Sequence, residues 1–182
     1  MKKISTPLTK DIISSLKAGD QLLLSGTLFT ARDAAHKKML ELLDGGLPLP
    51  FDIKDQVIYY TGPCPPKPGM IIGSSGPTTS GRMDKYTPKL LDLGLAGMIG
   101  KGYRSSEVIE SMMKNQCAYF GAVGGAGALI AKCIKSQKVI AWPELGTEAL
   151  REISVVDFPL IVLIDSKGNN LYESGKKIYR KV

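Results

Sequence analysis

Short apolar runs rich in β-branched and aromatic residues recur along the chain, at Gln21–Ser25, Gln56–Thr61, Ala96–Ile99, Ala118–Val123, Lys138–Trp142 and Leu160–Asp165. Each is closed by glycine, proline or a polar turn, the pattern of a buried strand. Between several of them the apolar spacing changes to that of a helix. Over Asp33–Leu43, Ala35, Met39, Leu42 and Leu43 share one face, and similar patterns run over Lys85–Leu93, Ser106–Asn115 and Ala126–Lys135. Strands alternating with helices predict an α/β fold.

Two stretches break the alternation. Gly45–Pro50 and Gly62–Gly69 are rich in proline and glycine, and the second is too stiff and too poor in N–H donors for a central strand. Near the end, Asp165–Asn170 between Leu160–Ile164 and Leu171–Tyr172 reads as the turn of a β-hairpin. The expectation is a mixed sheet flanked by helices. No internal repeat stands out.

With 182 residues, 43% of them apolar, the chain is expected to form one domain over 1–182. No apolar run has bilayer length, and Met1–Pro7 lacks the apolar segment of a secretory signal, which predicts a soluble cytoplasmic protein with no membrane partner. Cys64, Cys117 and Cys133 are irregularly spaced and form no C-x-x-C pair, and His36 is the single histidine, so no metal site is expected within this chain. The net charge of +7 owes much to Lys176, Lys177, Arg180 and Lys181, read as a solvated end. No RNA-binding aromatic signature or zinc finger accompanies it, and no nucleic-acid partner is expected.

The chemistry concentrates in Ser74-Ser-Gly-Pro-Thr-Thr-Ser-Gly-Arg82, a hydroxyl-rich loop bracketed by glycine and ending in a guanidinium, a composition suited to a carboxylate or phosphate. A cation at the loop between strand and helix occurs three times. Gln21–Ser25 and the residues after it lead to Arg32, the strand-like Ile71–Ser75 leads to Arg82, and Ala96–Ile99 leads to Lys101 between two glycines. Such loops gather at the carboxyl edge of a layered sheet, where ligands bind. Three cations converging there favour a small diacid, since a dianion needs about that many partners to offset its desolvation. Thr78, Thr79 and Ser80 have helix capping as the alternative role. A catalytic hydroxyl among them would need a nearby cation such as Lys101 or Arg82 to lower its pKa. Gly124–Gly127 after Ala118–Val123, with Glu144 beyond Lys138–Trp142, imitates a dinucleotide fingerprint, but Ile130 stands where a small residue belongs.

Thr30-Ala-Arg-Asp-Ala-Ala-His36, Gly76-Pro-Thr-Thr-Ser-Gly-Arg-Met83, Ile99-Gly-Lys-Gly102, Val156-Asp-Phe-Pro159 and Asp165 with Gly168-Asn169 occur in the order seen in the β subunit of class I, iron–sulfur-dependent fumarate hydratases, which this chain closely resembles over nearly its whole length. The β subunits of L-tartrate dehydratases share most of these blocks. The resemblance implies a swivelling β/β/α domain and reversible hydration of fumarate to L-malate in the tricarboxylic acid cycle. It also implies a [4Fe–4S] cluster held by cysteines of a separate α subunit, in a heterodimer or heterotetramer that is active only when assembled. By the same resemblance Arg32, Arg82 and Lys101 bind the carboxylates of a dicarboxylate substrate, Thr79 lies among the substrate contacts, and Thr78 is the general base beside a catalytic Lys101. His36, one helical turn after Arg32, has two expected roles, lining the same cleft or serving as a structural hydrogen-bonding histidine. The alternatives are tartrate dehydration to oxaloacetate and a non-catalytic anion- or nucleotide-binding module.

Overall fold

Lys2–Ser5 (β1) lies parallel to Gln21–Thr30 (β2), with Lys10–Ser14 (α1) between them in the chain. Asp33–Asp44 (α2) leads to Val57–Tyr59 (β3), Thr87–Asp92 (α3) to Gly97–Gly100 (β4), and Ser106–Asn115 (α4) to Ala118–Gly121 (β5). Gly127–Cys133 (α5), Ile134–Ala141 (β6), Leu150–Ile164 (β7) and Leu171–Tyr179 (α6) follow, with 3₁₀ turns at Ser80–Met83 and Pro143–Glu148. The computed structural model describes residues 1–180, so Lys181 of the basic C-terminal run lies outside the described residues. Among these, no helix is long and apolar enough to cross a membrane.

The strands form one mixed sheet in the order β1-β2-β3-β4-β5-β7-β6, flanked by helices. β1 to β5 are parallel; β7 is antiparallel to β5, to β6 and also to β2, so the antiparallel pair folds back over the parallel strands. Only β1 and β6 lie at the ends of this order.

Side-chain alternation sorts the core into two clusters. Leu22, Leu24 and Leu28 of β2, Val57 and Tyr59 of β3, Ile99 of β4 and Phe120 of β5 meet Ile153, Val155, Phe158 and Val162 of β7, with Ile13 of α1 and Ile130 of α5 closing the ends. The opposite side chains, Phe29, Ile58, Met98 and Tyr119, pack against Ala35 and Met39 of α2, Leu90 and Leu91 of α3, and Val108 and Met112 of α4. The central parallel strands are therefore buried on both faces, which is why their sequences are apolar without interruption.

Four local expectations change. Ile71–Ser75 forms no strand: Cys64 N–H donates to Ser74 O at 2.9 Å and Gly73 N–H to Cys64 O at 3.2 Å, so it is a loop folded on the proline-rich segment. The helix expected from Lys85 begins at Thr87, after the 3₁₀ turn that carries Arg82. The last strand starts at Leu150, fifteen residues of alternating burial in which Arg151, Ser154 and Asp157 mask the pattern of a strand with one buried face. Leu171–Tyr172 opens α6 instead of returning as a hairpin strand. Asn170 makes a single bridge to Ile164, and its side chain accepts from Tyr172 N–H as the helix N-cap.

Candidate active site

β2, β3, β4 and β5 are neighbours and parallel, so the segments that follow them emerge along one edge of the sheet. Arg32 is the N-cap of α2, two residues beyond β2, and Lys101 directly follows β4. The Thr78–Arg82 segment is brought to the same edge by backbone pairing. Thr78 N–H donates to Tyr60 O just beyond β3 at 2.7 Å, Lys101 N–H donates to Thr78 O at 3.2 Å, and Ser80 N–H donates to Lys101 O at 2.9 Å. The loop thus wedges between the carboxyl ends of β3 and β4.

The approach to that wedge is equally tied down. Tyr59 donates its hydroxyl hydrogen to Ser75 O at 2.6 Å, Thr61 donates to Gly76 O at 2.8 Å, and Ser75 N–H reaches Gly127 O at 3.0 Å. Glycine is required where chains touch: a Cβ on Gly127 would lie 2.5 Å from Ser74 Oγ and 2.9 Å from Gly76 N, and one on Gly100 would lie 2.0 Å from Ser80 Oγ. The Ser80 hydroxyl is held instead by Tyr119, whose hydroxyl lies 2.8 Å from Ser80 Oγ and 3.0 Å from Gly102 O.

The two arginines meet at Asp33, the first residue of α2. Arg82 donates Nε–H to Asp33 Oδ1 at 2.9 Å and Nη2–H to Oδ2 at 2.7 Å. Arg32 Nη2 lies 3.6 Å from the same Oδ2 and 3.4 Å from Glu148 Oε1, while Glu148 Oε2 accepts from Ala34 N–H at 2.8 Å and so completes the start of α2. A guanidinium has five N–H donors, and Asp33 engages two of those of Arg82. Asp33 therefore leaves three N–H donors of Arg82 without a carboxylate partner, and Arg32 is only loosely paired. The Arg32 side chain lies against Gly62, where a Cβ would come within 2.9 Å of its Nη1. Lys101 has no carboxylate partner among the described residues, and its ammonium lies above Gly124 of the loop after β5.

None of the three hydroxyls closes a helix. Thr79 is the N-cap of the 3₁₀ turn but makes no side-chain capping bond, Ser80 is engaged with Tyr119, and the half-buried Thr78 hydroxyl makes no hydrogen bond among the described residues. Thr79 is exposed and bridges to Lys101 through the backbone. Of the two roles expected for His36, the structure shows the structural one and not the cleft-lining one. His36 is 0% exposed, behind Arg32 and between the rings of Tyr60 and Tyr86, with Nδ1 2.8 Å from Arg32 O, so it does not open onto the cleft. Burial lowers its pKa to about 4 and leaves it neutral. The helical spacing that put His36 on the side of Arg32 was right, but the apolar face of α2 claims it.

The glycine-rich Gly124–Gly127 turn lacks the topology of a dinucleotide site. The strand after α5 is β6, which does not pair with β5 but runs antiparallel to β7. The cysteines do not fit a cluster either. Cys64 is exposed on the proline-rich loop, Cys133 ends α5, and the buried Cys117 thiol, pushed up to about 12, donates to Leu95 O at 2.9 Å. No three His, Cys, Asp or Glu side chains among the described residues are placed to hold a metal ion.

Sequence reasoning missed Asp33, Glu148 and Arg104. Asp33 sits beside Arg32 in the chain, yet its fork to Arg82 depends on a contact 49 positions away. Glu148 is brought in by the 3₁₀ turn before β7. Arg104 was hidden by its loop setting, where a charged residue ordinarily faces solvent; here its side chain is 0% exposed and paired to Asp84.

The family model described as Fumarase C-terminus matches residues 2–175. The chain is 43% identical over 162 residues to fumarate hydratase 2 of Leishmania major, an alignment covering 88% of this chain and 28% of that protein. It is 42% identical over 175 residues to the anaerobic class I fumarate hydratase of Escherichia coli K12, covering 95% of this chain and 31% of the relative. A Methanocaldococcus jannaschii protein, provisionally named L(+)-tartrate dehydratase subunit beta, is 39% identical over 182 residues, covering 96% of this chain and 93% of the relative. The chain therefore spans less than a third of the length of the two fumarate hydratases and nearly all of the third protein.

Proposed function

Because the chain belongs to the Fumarase C-terminus family, we propose that it is the β subunit of a heteromeric iron–sulfur hydro-lyase that interconverts fumarate and L-malate. The observation that carries this reading is the shared edge. Arg32 and Arg82 meet at one carboxylate, and Lys101 and Thr78 are bound to each other through their backbones beside them.

In this reading the arginine pair binds one substrate carboxylate through the donors that Asp33 leaves free, and Lys101 attracts the other. Thr79 adds contacts on the exposed side of the loop. Thr78, whose hydroxyl has no internal hydrogen-bond partner among the described residues, acts as its alkoxide: it takes the proton from the carbon next to a carboxylate during dehydration, becoming the neutral hydroxyl, and gives that proton back during hydration. A threonine is far too weak an acid to do this unaided; the ammonium of Lys101 stabilises the alkoxide in a site closed to water. A [4Fe–4S] cluster, for which no ligand set is placed among the described residues, would be held by a separate α subunit and would supply the Lewis acid for the substrate hydroxyl. The assembly is a heterodimer or heterotetramer in the cytoplasm, with closure of the two subunits over the substrate as the swivel.

A second substrate has a specific observation in its favour. The relative whose length this chain covers almost completely carries a tartrate dehydratase name. Reconstitution with a cluster-bearing α subunit, followed by kcat/KM for L-malate and L-tartrate side by side, decides between them. Oxygen-sensitive activity that favours malate is expected. Preference for tartrate shifts the substrate and keeps the chemistry, whereas full activity in Thr78→Ala and Arg82→Ala complexes overturns the site assignment.

A further inference from the structure

We propose that Arg104 is a positioning residue, a buried clamp that holds the Thr78–Arg82 segment in register with the loop carrying Lys101; this rests on the reading of that edge as the substrate site. Its side chain is 0% exposed, and every polar atom of the guanidinium is engaged. Nε donates to Asp84 Oδ1 at 2.7 Å, Nη2 donates to Thr87 Oγ1 at 2.8 Å, and Nη1 lies 3.5 Å from Tyr60 Oη and 3.3 Å from Met98 Sδ. The guanidinium carbon is 5.5 Å from the Tyr60 ring centre and 5.2 Å from that of Tyr119.

Asp84, Thr87, Tyr60 and Tyr119 each lead back to the site. Asp84 ends the 3₁₀ turn that carries Arg82, and its second oxygen accepts from Ser105 N–H at 2.7 Å, joining that turn to the loop after β4. Thr87 passes the contact on, donating to Met83 O at 2.9 Å, next to Arg82. Tyr60 holds Thr78 by its carbonyl, and Tyr119 holds Ser80 and Gly102 by its hydroxyl. Arg104 itself is three residues from Lys101. One guanidinium therefore spans the two segments whose functional groups must act together, and only a planar fork with several donors satisfies all these directions at once. Stability alone is a poor reason for this arrangement, because a buried ion pair is frequently no more stable than well-packed apolar side chains of the same volume. A buried pair that fixes geometry is the better account.

The test uses Arg104→Lys, which keeps the charge and loses the fork, and Thr87→Val, which removes the relay to Met83 and keeps the volume. In the full chain, amide hydrogen exchange at Thr78, Ser80 and Lys101 is expected to accelerate about tenfold in either variant relative to Leu24 within β2, which makes no contact with Arg104 among those described. In the complex with the α subunit, KM for the dicarboxylate rises about tenfold and kcat falls by a smaller factor, with rates normalised to folded protein. Thr87→Val decides the matter if Arg104→Lys does not fold. Uniform acceleration across all sheet amides, or wild-type kcat and KM per folded molecule, overturns the proposal. Absence of hydro-lyase activity in the wild-type complex would defeat the functional reading alone, and the exchange pattern would then decide the clamp.

Discussion

Asp33 accepts both hydrogen bonds of a fork from Arg82, at 2.9 and 2.7 Å, while Arg32 approaches the same carboxylate at 3.6 Å. Asp33 thus sits between two cations that would otherwise repel, with Glu148 Oε1 3.4 Å from Arg32 Nη2 as a second carboxylate partner. Asp33→Asn removes the charge that competes with an anionic ligand and also the fork that aims Arg82. The expected result is a lower KM for malate together with a kcat about tenfold lower, or about 1.4 kcal/mol in the barrier. Steady-state kinetics of the reconstituted complex reads this directly; a raised KM with unchanged kcat would show that Asp33 does not orient Arg82.

If Arg82 binds the substrate as proposed, Arg82→Ala is expected to lower kcat/KM by on the order of 2–5 kcal/mol in transition-state binding. Arg82→Lys should recover only part of the loss, since an ammonium cannot reproduce the fork to Asp33. Equal activity in the Lys and Ala variants would argue against a bidentate role.

His36 supplies a pH prediction about stability. Its folded pKa of about 4 lies below the ordinary 6.5, chiefly because burial penalises the imidazolium, with Arg104 adding repulsion while the Arg32 carbonyl and Asp33 favour the proton. The unfolded state therefore binds more protons between these values, and the stabilising contribution is complete above pH 6.5 and is lost as pH falls toward 4. The full effect is about 3 kcal/mol. Urea denaturation at several pH values should show the loss in the wild type and a flatter dependence in His36→Gln; identical slopes would show that His36 is not the titrating group.

Gly127→Ala places a methyl group against Ser74 and Gly76, where the Ser74–Arg82 loop crosses the start of α5. Relief requires the loop to move, so the variant should lose about 1–3 kcal/mol of stability and a larger share of kcat/KM than of folded protein. Thermal melting and kinetics on the same preparation separate the two effects. Undiminished kcat/KM would mean that Ser74–Gly76 does not govern the position of Thr78.

Periodicity made β2 to β5 and the helices α2, α4 and α5 legible, because burial on both faces leaves a continuous apolar signature in those strands. From that came the placement of Arg32 and Lys101 at strand ends. Arg82 was found for a partly mistaken reason. The segment before it is a loop, and what takes it to the edge is backbone pairing of Thr78 and Ser80 with Tyr60 and Lys101, which leaves no mark in composition. β1, α1 and the first half of β7 were not legible, since their polar and apolar residues alternate over stretches too short or too charged to stand out. Asp33, Glu148 and Arg104 escaped because their roles depend on residues distant in the chain.

The terminal strands of the sheet carry a further consequence. β1 offers Lys2 and Lys3, and β6 offers Lys135 and Lys138, at the two rims where backbone donors and acceptors face outward. Ammonium groups along a rim oppose the addition of a neighbouring polypeptide as an extra strand. Edge-to-edge pairing of two copies through either rim is therefore disfavoured.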